Sequence, residues 1–340
     1  MLNFDKDVFE LMIEKVIIGE KDGKEKINPR VITFILKRGN EIKCEEDKNL
    51  TAEKNLVVQN DKNQQLGGIK MDKENNNWNL EKLKRQAIDN QKFDDFVLNQ
   101  SVILTCKNLK VLDIGCSNGF KTEMLFDKYE NIDKIVGIDL DGKAIDEARR
   151  RFVNNNKYTF ETKDIYELET ENKFDIICLS YVLQHLKNPE LIVSKLKEML
   201  TDRGVLIIKV PDDSFKFCYP DDEHLLKRIF DLYEDEIMKK QNITKFTDRH
   251  IGKKVYNYLK NAGYNNIQLY YNVTDTVNKS LEERKKLFKS SIYFRNTNCK
   301  NNIDDNIKSE MEELLNKMSL KFEDDNFYYV MSVLYYIARK

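Results

Sequence analysis

The six cysteines (Cys44, Cys106, Cys116, Cys178, Cys218 and Cys299) form no CxxC pair and show no metal-ligand spacing, which argues against a zinc site and against a disulfide framework. They read as reduced thiols of a cytoplasmic protein, and no metal is expected. No apolar run approaches the length of a membrane span, and the first twenty residues mix Asp5, Asp7 and Glu10 with apolar positions, unlike a secretory signal. An excess of one charge is missing too. With 57 Lys and Arg against 58 Asp and Glu, the net charge near −1 provides no overall basic field for nucleic acid. Histidine is scarce, and His185, His224 and His250 are the only imidazoles. The dinucleotide fingerprint G-x-G-x-x-G also fails. Counted from Gly115, its other glycines fall on Ser117 and Phe120, and a phenylalanine obstructs the close backbone approach that a pyrophosphate needs.

The most informative segment present is Lys110 to Gly119, Lys-Val-Leu-Asp-Ile-Gly-Cys-Ser-Asn-Gly, followed twenty residues later by Asp139. A short apolar strand running into a glycine turn and then a helix exposes backbone N–H groups to a ligand at the carboxyl end of a parallel strand. An acid closing the next strand, Ile135 to Ile138, suits a ribose diol, because a carboxylate accepts from two hydroxyls at once. Asp139 has a plainer reading as the cap of a helix starting near Gly142, and Asp164 as a turn residue.

From Leu109 onward strand and helix signals alternate, which implies a parallel sheet covered by helices. The expected strands are 111–114, 135–138, 158–161, 174–179 and 205–210, interleaved with helices over 119–129, 142–154 and 189–200. After them come a helix over 251–261 closed by Gly263 and a final antiparallel pair, 267–271 with 327–338. Two stretches interrupt the plan. Residues 212–248 follow the fifth strand, where a lid is well placed, and 274–325 lie between the last two strands as charged helices such as 281–288 and 307–318. Residues 76–340 therefore read as one α/β domain. Residues 1–75 read as a small α+β appendage: a helix carrying Phe4, Val8, Phe9, Met12, Val16 and Ile17, a hairpin from Val31–Leu36 to Glu41–Cys44, and a polar linker over 60–77. Leu80 to Phe96 then reads as an amphipathic helix that packs on the sheet through Leu83, Ala87, Phe93 and Phe96.

In this order the segments resemble the class I, Rossmann-like S-adenosylmethionine-dependent methyltransferases over roughly residues 109–210. That resemblance implies a seven-stranded, mostly parallel sheet with an antiparallel last strand, and S-adenosylmethionine as cofactor with S-adenosylhomocysteine as product. It places Asp113, Gly115, Cys116, Ser117 and Gly119 at the methionine end and ribose. Asp139 falls on the ribose hydroxyls, Leu140 against the adenine, Asp164 with Ile165 at the adenine amino group, and Ser180 at the end of the fourth motif. Ser117 departs from the family's usual glycine, which a turn tolerates. Lys84 or Arg85 are the expected partners of the cofactor carboxylate.

Transfer of a methyl group from a sulfonium mainly requires positioning and exclusion of water, so a dedicated base is optional. His185 and His250 are the candidate catalytic groups, with packing or capping as their alternative roles. Tyr181, Phe215, Phe217, Tyr219 and Arg249 are candidate acceptor contacts, although aromatics of this kind also fill cores. The large insertions and the balanced charge favour a small-molecule acceptor methylated on oxygen or nitrogen. An RNA or protein methyltransferase is the alternative within catalysis, weakened because no aromatic-basic module and no Asn-Pro-Pro-Tyr segment occurs. A non-catalytic, S-adenosylmethionine-binding regulator is the third. The oligomeric state is not read from the sequence.

Overall fold

The computed structural model describes residues 13–21, 27–36, 41–45 and 80–340, apart from 102, 170, 222, 241–245 and 298–302. The chain falls into two compact units, Met1–Lys73 and Glu74–Lys340. In the first, β1 (Ile13–Lys21), β2 (Ile27–Leu36) and β3 (Glu41–Glu45) form an antiparallel sheet in that order, and the expected hairpin is β2 with β3, Val31 opposite Glu45. The expected helix is corrected here. Val16 and Ile17 belong to a strand, because the β-branched run Val16-Ile17-Ile18 favours extended backbone over the helical spacing of the apolar residues. Phe4, Val8, Phe9, Met12 and the linker lie outside the described residues.

The second unit opens with α1 (Leu80–Gln100), which buries Ala87, Val97 and Leu98. The alternation then runs β4 (Leu109–Ile114), α2 (Phe120–Phe126), β5 (Ile132–Asp139), α3 (Gly142–Arg151), β6 (Tyr158–Thr162), β7 (Phe174–Ser180), α4 (Pro189–Met199) and β8 (Leu200–Pro211). After it come β9 (Phe217–Tyr219), α5 (Leu225–Leu232), α6 (Gly252–Asn261), β10 (Asn265–Asp275), α7 (Leu281–Phe288), α8 (Asp305–Lys321) and β11 (Tyr328–Arg339). The sheet order is β10-β11-β8-β7-β4-β5-β6, with β9 added on β11. Strands β4 to β8 are mutually parallel, and β11 runs antiparallel between β8 and β10.

These strands read as continuous apolar runs because both faces are covered. Leu112, Ile177, Leu179, Leu206 and Ile208 enter one core with α4 and α6, while the alternating Val111, Ile176, Cys178, Val205 and Ile207 enter the other with α1 and α3. The two insertions do not act separately. Leu226, Ile229 and Phe230 of the first pack with Leu287, Ile292, Leu314 and Met318 of the second in a third core, giving one helical unit that grows from the carboxyl end of β8. Among the described residues no helix is long and apolar enough to cross a membrane.

Candidate active site

The turn after β4 is built from backbone that only certain residues tolerate. Gly115 and Gly119 both sit at positive φ, 74° and 75°. A Cβ at Gly115 would lie 2.3 Å from Val182 Cγ2, and one at Gly119 would lie 2.8 Å from Phe160 Cζ. Ser117 adopts φ 50° without being glycine, so the departure from the family pattern is accommodated in left-handed backbone. Cys116 turns its thiol into the core at 4 % exposure, and burial pushes that thiol well above its usual range, leaving only its backbone on the turn.

Asp139 ties this turn to the next. Its Oδ2 accepts from the Ser117 N–H at 2.8 Å and its Oδ1 from the Asp141 N–H at 2.9 Å. It does not cap α3. Asp141 does so, accepting from the Lys143 and Ala144 N–H groups. Two lone pairs remain on the Asp139 carboxylate for further donors. Beside it Leu140 exposes 69 % of its surface, unusual for a leucine between two polar anchors. Asp164 caps the turn Ile165–Glu167 through the Tyr166 N–H at 3.0 Å, and Ile165 is buried beneath it. Asp113 is buried under the turn, its Oδ2 accepting from Thr122 Oγ1 at 2.6 Å. Burial raises its carboxyl above the ordinary range, with Thr122 acting against that.

The site residues expected from the sequence do not include the side-chain cluster next to Asp113. A cavity of about 30 Å³, enough for roughly two waters, lies between α1, α2 and the sheet, lined by Asp94, Asp113, Lys121, Ser180, Lys209 and Tyr335. Asp94 Oδ1 accepts from Lys209 Nζ at 2.9 Å and from the Tyr335 hydroxyl at 2.8 Å. Its Oδ2 lies 3.7 Å from Lys121 Nζ, and Lys121 in turn donates to Ser180 Oγ. Burial opposes the charge on Asp94, but Lys121 and Lys209 outweigh it and hold the carboxyl below its usual value. Burial, with Lys121 adding to it, pushes the Lys209 ammonium down to about 7. A lysine inside the apolar run Ile207-Ile208-Lys209-Val210 was the available signal, since a buried ammonium needs an acid. Lys84 and Arg85 are both exposed, and Lys84 stands 5.3 Å over the Phe120 ring.

At the end of β7 Tyr181 holds φ 58°, a costly conformation for an aromatic residue, fixed by its N–H donating to the Lys209 carbonyl at 2.8 Å. Its carbonyl accepts from Gln184 Nε2, which orients that amide so that the same nitrogen faces His185 Nε2 at 3.2 Å. His185 Nδ1 meets Thr247 Oγ1 at 2.8 Å. Burial, aided by Arg249, pushes the imidazole down to about 4. Both ring nitrogens therefore face protein partners, and the catalytic expectation for His185 gives way to one of positioning: it fastens the end of β7 to the segment before α6. His250 is more open, with Nδ1 2.9 Å from Ser214 Oγ and Nε2 3.2 Å from Glu234 Oε1.

The expected aromatic wall is only partly present. Phe215 packs on the sheet core with its ring 5.6 Å from that of Tyr271. Tyr219 and Phe217 are 74 % and 57 % exposed, because β9 is a three-residue edge strand whose alternation turns those two outward, with Cys218 toward the third core between them. Arg249 is buried and binds Asp213 through two donors, Nε at 3.0 Å and Nη2 at 2.9 Å. Among the described residues no group of His, Cys, Asp or Glu is arranged to hold a metal ion.

A parallel sheet with a strained glycine turn after one strand and an acid closing the next defines a nucleoside-binding domain of the Rossmann-like class. Residues 105–263 match a family described as a methyltransferase domain, and this part of the chain is a class I S-adenosylmethionine-dependent methyltransferase domain. Among its relatives is the trans-aconitate 2-methyltransferase of Agrobacterium fabrum, 32 % identical over 101 residues, which are 30 % of this chain and 38 % of that protein. The malonyl-[acyl-carrier protein] O-methyltransferase of Acetivibrio thermocellus is 34 % identical over 29 % of this chain and 34 % of that one. The mitochondrial ubiquinone biosynthesis O-methyltransferase of Dictyostelium discoideum is 24 % identical over 36 % and 41 %. The chain thus spans well under half the length of each of these relatives.

The residues present fit the cofactor of that class. The turn has no room for a Cβ at Gly115 or Gly119, Asp139 keeps acceptor capacity for two hydroxyls, and Leu140 offers an exposed apolar face to a base.

Proposed function

We propose that the chain transfers a methyl group from S-adenosylmethionine to an oxygen or nitrogen of a small-molecule acceptor. The observation that carries this reading is the joint helical unit of the two insertions. Its first segment follows the carboxyl end of β8, the side of a parallel sheet on which the acceptor enters. In this reading Asp139 holds the ribose, Leu140 lies against the adenine, Asp164 and Ile165 border the base, and the turn Gly115 to Gly119 receives the methionine end above Asp113. Ser180 and Lys121 lie along the path toward β7. The cofactor supplies an electrophilic methyl group on a sulfonium. The residues of the chain bind it, orient the acceptor and exclude water. Two of the three relatives above are O-methyltransferases by name, which supports oxygen as the acceptor atom.

Calorimetric titration of the full chain with S-adenosylmethionine, S-adenosylhomocysteine and NADH tests the reading. The first two bind saturably and NADH does not. Asp139→Ala weakens S-adenosylhomocysteine binding about tenfold or more, by removing a doubly used acceptor. Binding of NADH alone, or an unchanged affinity in the variant, overturns it. A screen of metabolites, RNA and peptides with methyl-labelled cofactor then separates the small-molecule acceptor from RNA and protein.

A further inference from the structure

Directly after β8 a second buried acid gathers an excess of cations. Asp213, at 3 % exposure, receives three cations from three separate segments. Arg249 binds it through two donors, Arg295 Nη2 reaches its Oδ2 at 2.5 Å, and Lys216 Nζ its Oδ1 at 2.8 Å. Burial pushes Lys216 down to about 7, and Arg295 and Arg249 add to that push, while Asp213 alone of the neighbours named resists it. Glu234 is the next acid, and its Oε1 lies 3.2 Å from His250 Nε2.

Arg249 joins this cluster to the end of β7. Its charge acts on both Tyr181 and His185. It is also the cation of the three with the most exposed side chain, at 10 % against 3 % for Lys216 and 0 % for Arg295. Its Nε and Nη2 are spent on Asp213, whereas Nη1 makes no hydrogen bond among the described residues. A guanidinium fixed on two donors presents its remaining N–H groups in a set plane, the geometry that carboxylates match.

From this arrangement we infer that the acceptor is a carboxylate-bearing small molecule, held by Arg249 through Nη1, with Lys216 and Arg295 behind it supplying positive field. The inference rests on the methyltransferase reading and sharpens its substrate class. Arg249 is here a binding residue, and Lys216 and Arg295 act through it.

The test uses the full chain saturated with S-adenosylhomocysteine, titrated with aliphatic mono- and dicarboxylates and with the matching neutral amides. At least one carboxylate binds saturably and about tenfold or more tighter than its amide. Arg249→Gln removes that discrimination while S-adenosylhomocysteine affinity stays within about twofold. If Arg249→Gln melts without a cooperative transition, Lys216→Met serves instead, since it keeps the Arg249–Asp213 pair. It weakens carboxylate binding about fivefold and leaves amide binding unchanged. Equal binding of acid and amide, no carboxylate binding to the loaded protein, or discrimination that survives in the folded variants overturns the inference. Failure of S-adenosylhomocysteine itself to bind overturns the cofactor reading instead, so the two failures are distinguishable.

Discussion

The turns after β4 and β5 present backbone to a ligand, and the acid that ties them together, Asp139, accepts from N–H groups two and twenty-two residues away. The ends of β7 and β8 present charged side chains, and their central acid, Asp213, is satisfied by partners 36 and 82 residues away. The first arrangement is fixed by local sterics and fits one invariant ligand. The second is assembled largely from inserted segments, so its composition changes with the insertions.

The sharpest way to break this contrast is to remove the central acid from the charged side. Asp213→Asn leaves three buried cations facing one another, and a loss of about 3–5 kcal/mol is expected in denaturant unfolding. Cofactor binding should fall only as far as the population of folded protein does. A loss below about 1 kcal/mol would show that the cluster is loosely packed. On the backbone side Gly115→Ala forces a Cβ into Val182 at positive φ, with an expected cost of about 2–4 kcal/mol and loss of S-adenosylhomocysteine binding by calorimetry. Retained binding would mean that the turn relaxes.

A third prediction concerns pH. Lys209 and Lys216 are held near 7 when folded against 10.5 for the unperturbed side chain, so above pH 7 the unfolded chain binds more protons than the folded one. Stability therefore rises with pH from about 7 toward 9. Beyond that, Cys116, Cys178 and Tyr181, all raised by burial, ionise first in the unfolded chain and reverse the trend. Unfolding curves across pH 7–9 should show the rise, and Lys209→Met should flatten it. A flat wild-type profile would show that both ammonium groups stay charged. The smallest effect is Ser117→Gly, which relieves left-handed strain and is expected to stabilise by about 0.5 kcal/mol in thermal unfolding, with cofactor affinity unchanged.

The same contrast explains what the sequence disclosed. The strand pattern from Leu109 to Val210 and the order of the motifs were legible because β4 to β8 are buried on both faces and each turn is local. The place of Asp139 at the end of β5 was legible from the apolar run before it, though its hold on the Ser117 N–H required coordinates. Asp94, Asp213 and Arg295 were not legible, since each acquires its meaning from a partner far along the chain. Tyr219 was misplaced because its role depends on which way a three-residue edge strand alternates. The helix expected through Ile17 failed where β-branched residues outweighed apolar spacing.

Strand β11 lies between β8 and β10, so β10 is synthesised more than fifty residues before the strand it pairs with among the described residues. Until Tyr328–Arg339 docks, both β8 and β10 carry open ladders of N–H and C=O groups. Closure of the sheet is therefore a high-contact-order event, and an unpaired β8 or β10 edge exposes the chain to self-association. Expression yield of this chain should depend on how quickly its final strand finds that slot, and on little that happens at the active site.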